Sequence, residues 1–90
     1  MNSKELKKFE RIFKGVANHW RLKILFCIND NNQINLKDLT EKIKGQYQTI
    51  SEHVRVLEHS GLIYKKYKGR FILHSISPYG TSILKFIKIF

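Results

Sequence analysis

The sequence predicts a mainly α-helical fold with one small β-hairpin, about five helices and two strands in a single domain over residues 1–90. Three observations predict it. Apolar residues return every three or four positions through several separate stretches, the period of a helix with one buried face. Asn, Ser and Gly stand between those stretches, where helix ends need caps. Before the last of them, two runs suited to strands are joined by Lys68-Gly69, a hairpin signal.

Ser3 is the expected N-cap of a first helix from Lys4 to about Ala17. Its Leu6, Phe9, Ile12, Phe13 and Val16 share one face, opposite Lys4, Lys7, Lys8, Arg11 and Lys14. Asn18 caps a second helix, His19 to about Asn29. Trp20, Leu22, Ile24, Leu25 and Ile28, with Phe26 and Cys27 beside them, make it apolar over most of its circumference, as a central buried helix requires. Asp30-Asn31-Asn32 breaks it, and Gln33-Ile34 suits a very short strand. Asn35 starts a third helix, Leu36 to about Ile43, with Asp38 and Glu41 in its early turns and Leu36, Leu39 and Ile43 facing inward. After a turn at Lys44-Gly45, a fourth helix is expected from Tyr47 to His59, stopped by Ser60-Gly61. Strands follow at Leu62–Tyr67 and Arg70–Ile76. Ser77 as cap and Pro78 at the first helical position then open the last helix, whose Ile83, Ile87 and Phe90 share a face flanked by Leu84 and Phe86.

Ninety residues leave no room for a second core, and a chain this short buries only about 60–65% of its unfolded surface. A second copy would supply the missing burial. The two terminal segments, 1–17 and 77–90, are the expected dimerisation helices, through Leu6, Phe9, Phe13, Ile83, Leu84, Ile87 and Phe90. Seventeen Lys and Arg against seven Asp and Glu give a formal charge of +10, an excess that answers to a polyanion, either nucleic acid or an anionic membrane surface. The membrane reading rests on Lys85 and Lys88 beside the apolar face of the last helix. A dimerisation helix has the same look, and the energetics of a small domain favour it. The charged N-terminus is no secretory segment and no apolar run reaches the roughly 20 residues of a membrane span, so a cytoplasmic location is expected. Cys27 stands alone, which excludes an internal disulfide and four-cysteine zinc sites. On a mostly apolar helix it is expected to behave as a small hydrophobe.

The third and fourth helices, joined by a tight turn containing Gly45, form a helix-turn-helix whose second helix fits the DNA major groove. Ile50, Val54 and Leu57 must face the domain, which turns Tyr47, Gln48, Ser51, Glu52 and Arg55 outward. Gln pairs with adenine, Arg with guanine, and Ser with either. Glu52 can accept from cytosine or hold Arg55 at helical spacing. Gln46, at the start of the same helix, is expected with Tyr47, Gln48, Ser51 and Arg55 to read or approach bases, and Thr49 belongs to the same DNA-binding set on that helix. His53 is either packed at its base or touching phosphate. Lys65, Lys66, Lys68 and Arg70 place four cations within six residues around the hairpin turn, a wing for phosphates or the adjacent minor groove. Lysines on an edge strand also serve simply to block sheet association.

The stretch from Phe13 to Leu25 carries Ala17, Arg21, Leu22, Ile24 and Leu25 as Ala-x-x-x-Arg-Leu-x-Ile-Leu, and resembles the opening of the ArsR family of winged-helix repressors. Thr49 to Ile63 resembles that family's recognition helix and its exit into the wing, and Lys68-Gly69-Arg70 its wing tip. The resemblance covers about Phe13 to Ile76. It implies a winged helix-turn-helix fold, binding to double-stranded DNA and a homodimer built from the first and last helices. His19 stands where the family usually has Pro, Gln46 near its usual Ser or Thr cap, and His74 at its usual wing aromatic. The ending Ile76-Ser-Pro-Tyr-Gly80 is similar to MarR- and PadR-like winged helices.

The family's metal sites are missing: Asn35 to Leu39 has no Cys, and Pro78 to Phe90 has no His, Asp, Glu or Cys. His53 and His59, six apart, fall on different faces and do not chelate. His19 serves near a helix start, and His74 is expected inside the wing base as a hydrogen-bonded core residue. No metal, cofactor or catalytic residue is expected, and no residue marks a small-molecule effector. The expected function is a sequence-specific, double-stranded DNA-binding transcriptional regulator, a dimeric repressor. A winged helix used for protein contact and a non-specific architectural DNA-binding protein are its competitors.

Overall fold

A computed structural model describes residues 1–90, with α1 (Ser3–Val16), α2 (His19–Asp30), β1 (Ile34–Asn35), α3 (Leu36–Ile43), α4 (Tyr47–His59), β2 (Ile63–Lys68), β3 (Phe71–Ile76) and α5 (Pro78–Ile87). The helices arise where the caps put them, with one shift. Asn2, rather than Ser3, caps α1: its Oδ1 accepts from Glu5 N at 2.9 Å, and its own N–H reaches Glu5 Oε1 at 3.4 Å. That reciprocal pair satisfies two of the otherwise orphaned amides and brings Ser3 into the first turn. Asn18 Oδ1 accepts from Trp20 N and Arg21 N, Asn35 Oδ1 from Asp38 N, and Ser77 Oγ from Gly80 N. Gln46 precedes α4 without any side-chain cap.

The sheet has three antiparallel strands in the order β1-β3-β2, the expected hairpin joined at one edge by the short strand expected near Gln33-Ile34. The short strand is Ile34–Asn35 and pairs Ile34 with His74 and Asn35 with Leu73. Gln33 is excluded from it because its φ is +67°, outside any strand conformation. The hairpin turn is Gly69-Arg70 rather than Lys68-Gly69, since Lys68 still pairs with Phe71. Gly69 takes φ +61° at the first turn position, where a two-residue hairpin with one left-handed residue favours glycine.

The core is built on α2, which packs against every other helix and β3. Ile24, Leu25 and Ile28 lose all solvent contact there, together with Leu39, Leu57 and Leu62. Ile43, Ile50, Val54, Ile63, Ile12, Ile34 and Leu84 complete the cluster. Leu84 therefore leaves the expected dimer face: it is 3% exposed and holds α5 onto its own domain. Ile83 and Ile87 are half-buried against the same core. Leu6, Phe9 and Phe13 face outward from α1, while Ile12 on the same expected stripe turns in. Helix α5 ends at Ile87, so Phe90 lies beyond it, 93% exposed. No helix is long and apolar enough to cross a membrane.

Candidate nucleic-acid interface

The recognition geometry follows from how α4 is buried. Ile50, Val54 and Leu57 occupy the core side, and at 100° per residue Gln48, Glu52 and Arg55 point directly away from them. Tyr47, Gln48, Glu52 and Arg55 are exposed and Ser51 is half-buried. The Arg55 guanidinium is held by the Glu52 carboxylate, one turn back on the same face. Both side chains are more than 60% exposed, so the pair contributes little to stability and Arg55 stays available for an exchange of partners.

The two flanks of α4 differ. On the wing side, Tyr47, Ser51 and Arg55 face Lys65, Ile72 and His74 across a groove. Strand alternation sets Lys65 on the side of β2 that faces the helices, where its Nζ pairs with Glu58 Oε1 at 3.4 Å. Lys66 and Lys68 share the opposite face, and with Arg70 they are exposed. All four wing cations are exposed, and the structure separates Lys65, which has a carboxylate partner in the domain, from the three that have none. On the other flank, Trp20 of α2 lines a cleft with Gly45, Gln46, Thr49 and Ile50. Exposed Lys23 lies over the Trp20 ring, Nζ 5.4 Å from its centroid, and the His19 ring sits 5.6 Å away. Sequence reasoning had left this edge out. The interval of three between Trp20 and Lys23, one helical turn, was the signal that could have found it. Thr49 Oγ1 donates to Gln46 Oε1 at 3.2 Å, so these two residues brace the start of α4.

The histidines resolve differently. His53 turns toward α2, not outward: its Nδ1 lies 3.3 Å from Arg21 Nη1. Burial lowers its pKa, and the charges of Arg21 and His19 lower it further. His74 is 2% exposed, with Nδ1 donating to the Ile34 carbonyl at 3.0 Å, which ties the wing base to the strand before α3. Burial lowers its pKa against the opposing effect of that hydrogen bond. Cys27 is half-buried, and burial raises its thiol pKa, as in an inert packing residue. No three or more His, Cys, Asp or Glu side chains gather closely enough to hold a metal ion.

This arrangement has relatives. The MarR family profile matches residues 18–68, which run from the cap of α2 through the helix-turn-helix to the end of β2. The chain is 29% identical over 75 residues to the arsenical resistance operon repressor of Bacillus subtilis (strain 168), covering 83% of this chain and 71% of that one. It is 32% identical over 68 residues to the uncharacterized HTH-type transcriptional regulator YuzN of the same organism, covering 69% and 74%. In three dimensions it resembles the homodimeric winged helix-turn-helix DNA-binding domain of a possible ArsR-family regulator from Mycobacterium bovis. The TM-score is 0.86 at 19% identity, over 97% of this chain and 81% of that one. The recognition helix, the wing and these matches agree: the chain belongs to the MarR family and is an ArsR/MarR-like winged-helix, DNA-binding transcription regulator.

Proposed function

We propose that the protein is a sequence-specific repressor that binds double-stranded DNA as a symmetric homodimer, without catalysis, in the cytoplasm. The observation that carries the reading is the outward row Gln48, Glu52 and Arg55 on α4, none of it needed by the core, between two cationic flanks. Gln48 and Arg55 would read base edges, with Tyr47 and Ser51 beside them on the wing side. Lys66, Lys68 and Arg70 on one side, and Lys23 on the other, would hold phosphates on the two walls of the groove. Gln46 and Thr49 would set the start of the helix, and Lys65 would act mainly through Glu58.

The dimer reading is supported by apolar surface the monomer leaves bare. Leu6, Phe9 and Phe13 on α1 and Phe86, Ile89 and Phe90 at the end of α5 are all exposed. Lys8 links α1 to the start of α5, its Nζ lying 5.3 Å from the Phe9 ring centroid and 5.0 Å from that of Tyr79. Two recognition helices in such a dimer would enter successive major grooves about 34–36 Å apart. The repressor assignment rests on the arsenical resistance operon repressor to which the chain is similar.

Selection of bound duplexes from a random pool at physiological salt tests the reading. Enrichment of an inverted repeat, with half-sites about one helical turn apart, is expected. A flat pool with salt-sensitive binding would replace it with an architectural role. No retention of DNA would favour a winged helix used for protein contact.

A further inference from the structure

Helix α1 ends in an irregular cap at Ala17, φ −77° and ψ 56°, which leaves carbonyls of its last turn without helical partners. One side chain of α2 takes two of them. Arg21 Nε donates to Gly15 O at 2.7 Å and Arg21 Nη2 to Lys14 O at 3.2 Å. The third arm of the same guanidinium reaches His53 on the recognition helix, Nη1 to Nδ1 at 3.3 Å. Arginine only donates, so His53 Nδ1 is the acceptor and the ring proton resides on Nε2. Beside this joint α1 and α4 touch directly, for a Cβ on Gly15 would collide with Ser60 at the end of α4.

We infer that Arg21 and His53 are positioning residues: the guanidinium fixes the recognition helix against the C-terminal end of α1, so that the orientation of α4 follows that of the proposed dimer helix. The inference rests on the DNA-binding dimer proposed above. Neither residue needs to touch DNA. Arg21 is suited to the task because its planar fork serves three acceptors at once, which a lysine ammonium on its flexible stem does not hold in one fixed geometry. The joint has one built-in weakness. A second proton on His53 would set an N–H against the Arg21 N–H and close a cationic group onto Arg21 and His19. The charged side chains acting on the ring are those two, both from α2, and both oppose its protonation. From α1 the joint receives backbone carbonyls only, and the nearby Lys14 ammonium is paired with Glu10 at 3.2 Å. On α4 itself Glu52 is engaged with Arg55.

The test compares the wild type with Arg21→Lys, His53→Asn and His53→Leu on the most enriched duplex from the selection, by fluorescence anisotropy at pH 7.5 and 5.5. Asn keeps an acceptor near the Nδ1 position and does not titrate, whereas Leu removes the acceptor. At pH 7.5, Arg21→Lys and His53→Leu should bind about tenfold more weakly, the scale of one hydrogen bond to a charged group, while His53→Asn stays within about twofold. The dimer mass by sedimentation should be unchanged in all. At pH 5.5 the wild type should weaken relative to His53→Asn. Imidazole NMR of the free protein should report Nδ1 unprotonated in the wild type, and Arg21→Gln, which removes the guanidinium charge, should move the ring's titration upward. Unaltered affinity in His53→Leu, or identical pH profiles for wild type and His53→Asn, would overturn the positioning role. If the wild type shows no sequence preference, the repressor reading fails, and the NMR titration still decides whether Arg21 holds His53.

Discussion

Helices α1 and α4 are both amphipathic and both press one apolar edge into the same core, yet their outer faces are opposites. The inward side of α4 is Ile50, Val54 and Leu57, and its outer side is polar: Gln48, Glu52 and Arg55. Helix α1 buries Ile12, then presents Leu6, Phe9 and Phe13 to solvent among its lysines. A polar outer face is stable in water and still offers donors and acceptors to a groove. An apolar outer face is unfavourable in water at about 25 cal/mol per Å² and gains most from a second apolar surface. The difference teaches that burial within the monomer does not mark function here. What each helix leaves outside does.

The largest effect should come from the core that both helices press into. Leu57→Ala removes a fully buried α4 side chain from that core, and should destabilise the fold by about 3 kcal/mol in urea unfolding. Breaking the outer face of α1 should act differently. Phe13→Glu, at a residue 57% exposed, should leave the monomer folded but weaken the proposed dimer by about 2 kcal/mol or more, read by sedimentation across a dilution series. A dimer indifferent to Phe13→Glu would put the interface elsewhere. The outer face of α4 should respond in specificity rather than in assembly. Gln48→Ala should lose about 1–3 kcal/mol on the preferred site and relax the preference at one position, measured against single-base variants.

How far the sequence could be read follows the same division. The element order, the core edge of α4 and the inward His74 were all legible, because period and capping depend on neighbours along the chain. Three features were not. Asn2 competes with Ser3 for the same cap, and only the reach of Glu5 back to the Asn2 amide decides between them. Leu84 and Ile12 each lie beside exposed apolar residues, and no pattern separates own-core from partner-facing positions when both are apolar. The short strand was expected near Gln33-Ile34, but its partner was not: Ile34 meets His74 across 40 residues, a pairing that two residues of local sequence cannot announce. In the candidate site the outward row of α4 and the wing were expected. The Trp20–Lys23 edge was not, and for His53 the packed alternative holds without its partner Arg21 having been named, because both depend on how α2 docks beside α4.

Acid stability sharpens the comparison at the base of the wing. His74 has its pKa lowered from 6.5 by burial, so above 6.5 both folded and unfolded chains carry a neutral ring and the full stability is present. As pH falls below 6.5, the unfolded chain takes its proton first, and stability declines until the folded ring protonates as well. His53 is lowered too and adds the same sign. The urea midpoint should therefore drop from pH 7 to pH 5, and His74→Phe should reduce the slope without abolishing it, since His53 remains. A midpoint independent of pH in the wild type would contradict the burial of both rings.

The smallest effect separates the cations by their partners. Lys66 is exposed on the wing and Lys23 on the α2 edge, while Lys65 is already paired with Glu58. Each phosphate contact releases condensed counterions, so removing one should lower the slope of log affinity against log salt by about 1. Lys66→Ala and Lys23→Ala should each do so, weakening all sequences alike. Lys65→Ala should change the slope less, because its charge is offset by Glu58 before DNA arrives, and truncating it frees a carboxylate near the groove. That would appear as a modest uniform loss of affinity with a nearly unchanged slope. Equal slopes for Lys23→Ala and wild type would confine the phosphate grip to the wing and make the grip on α4 one-sided.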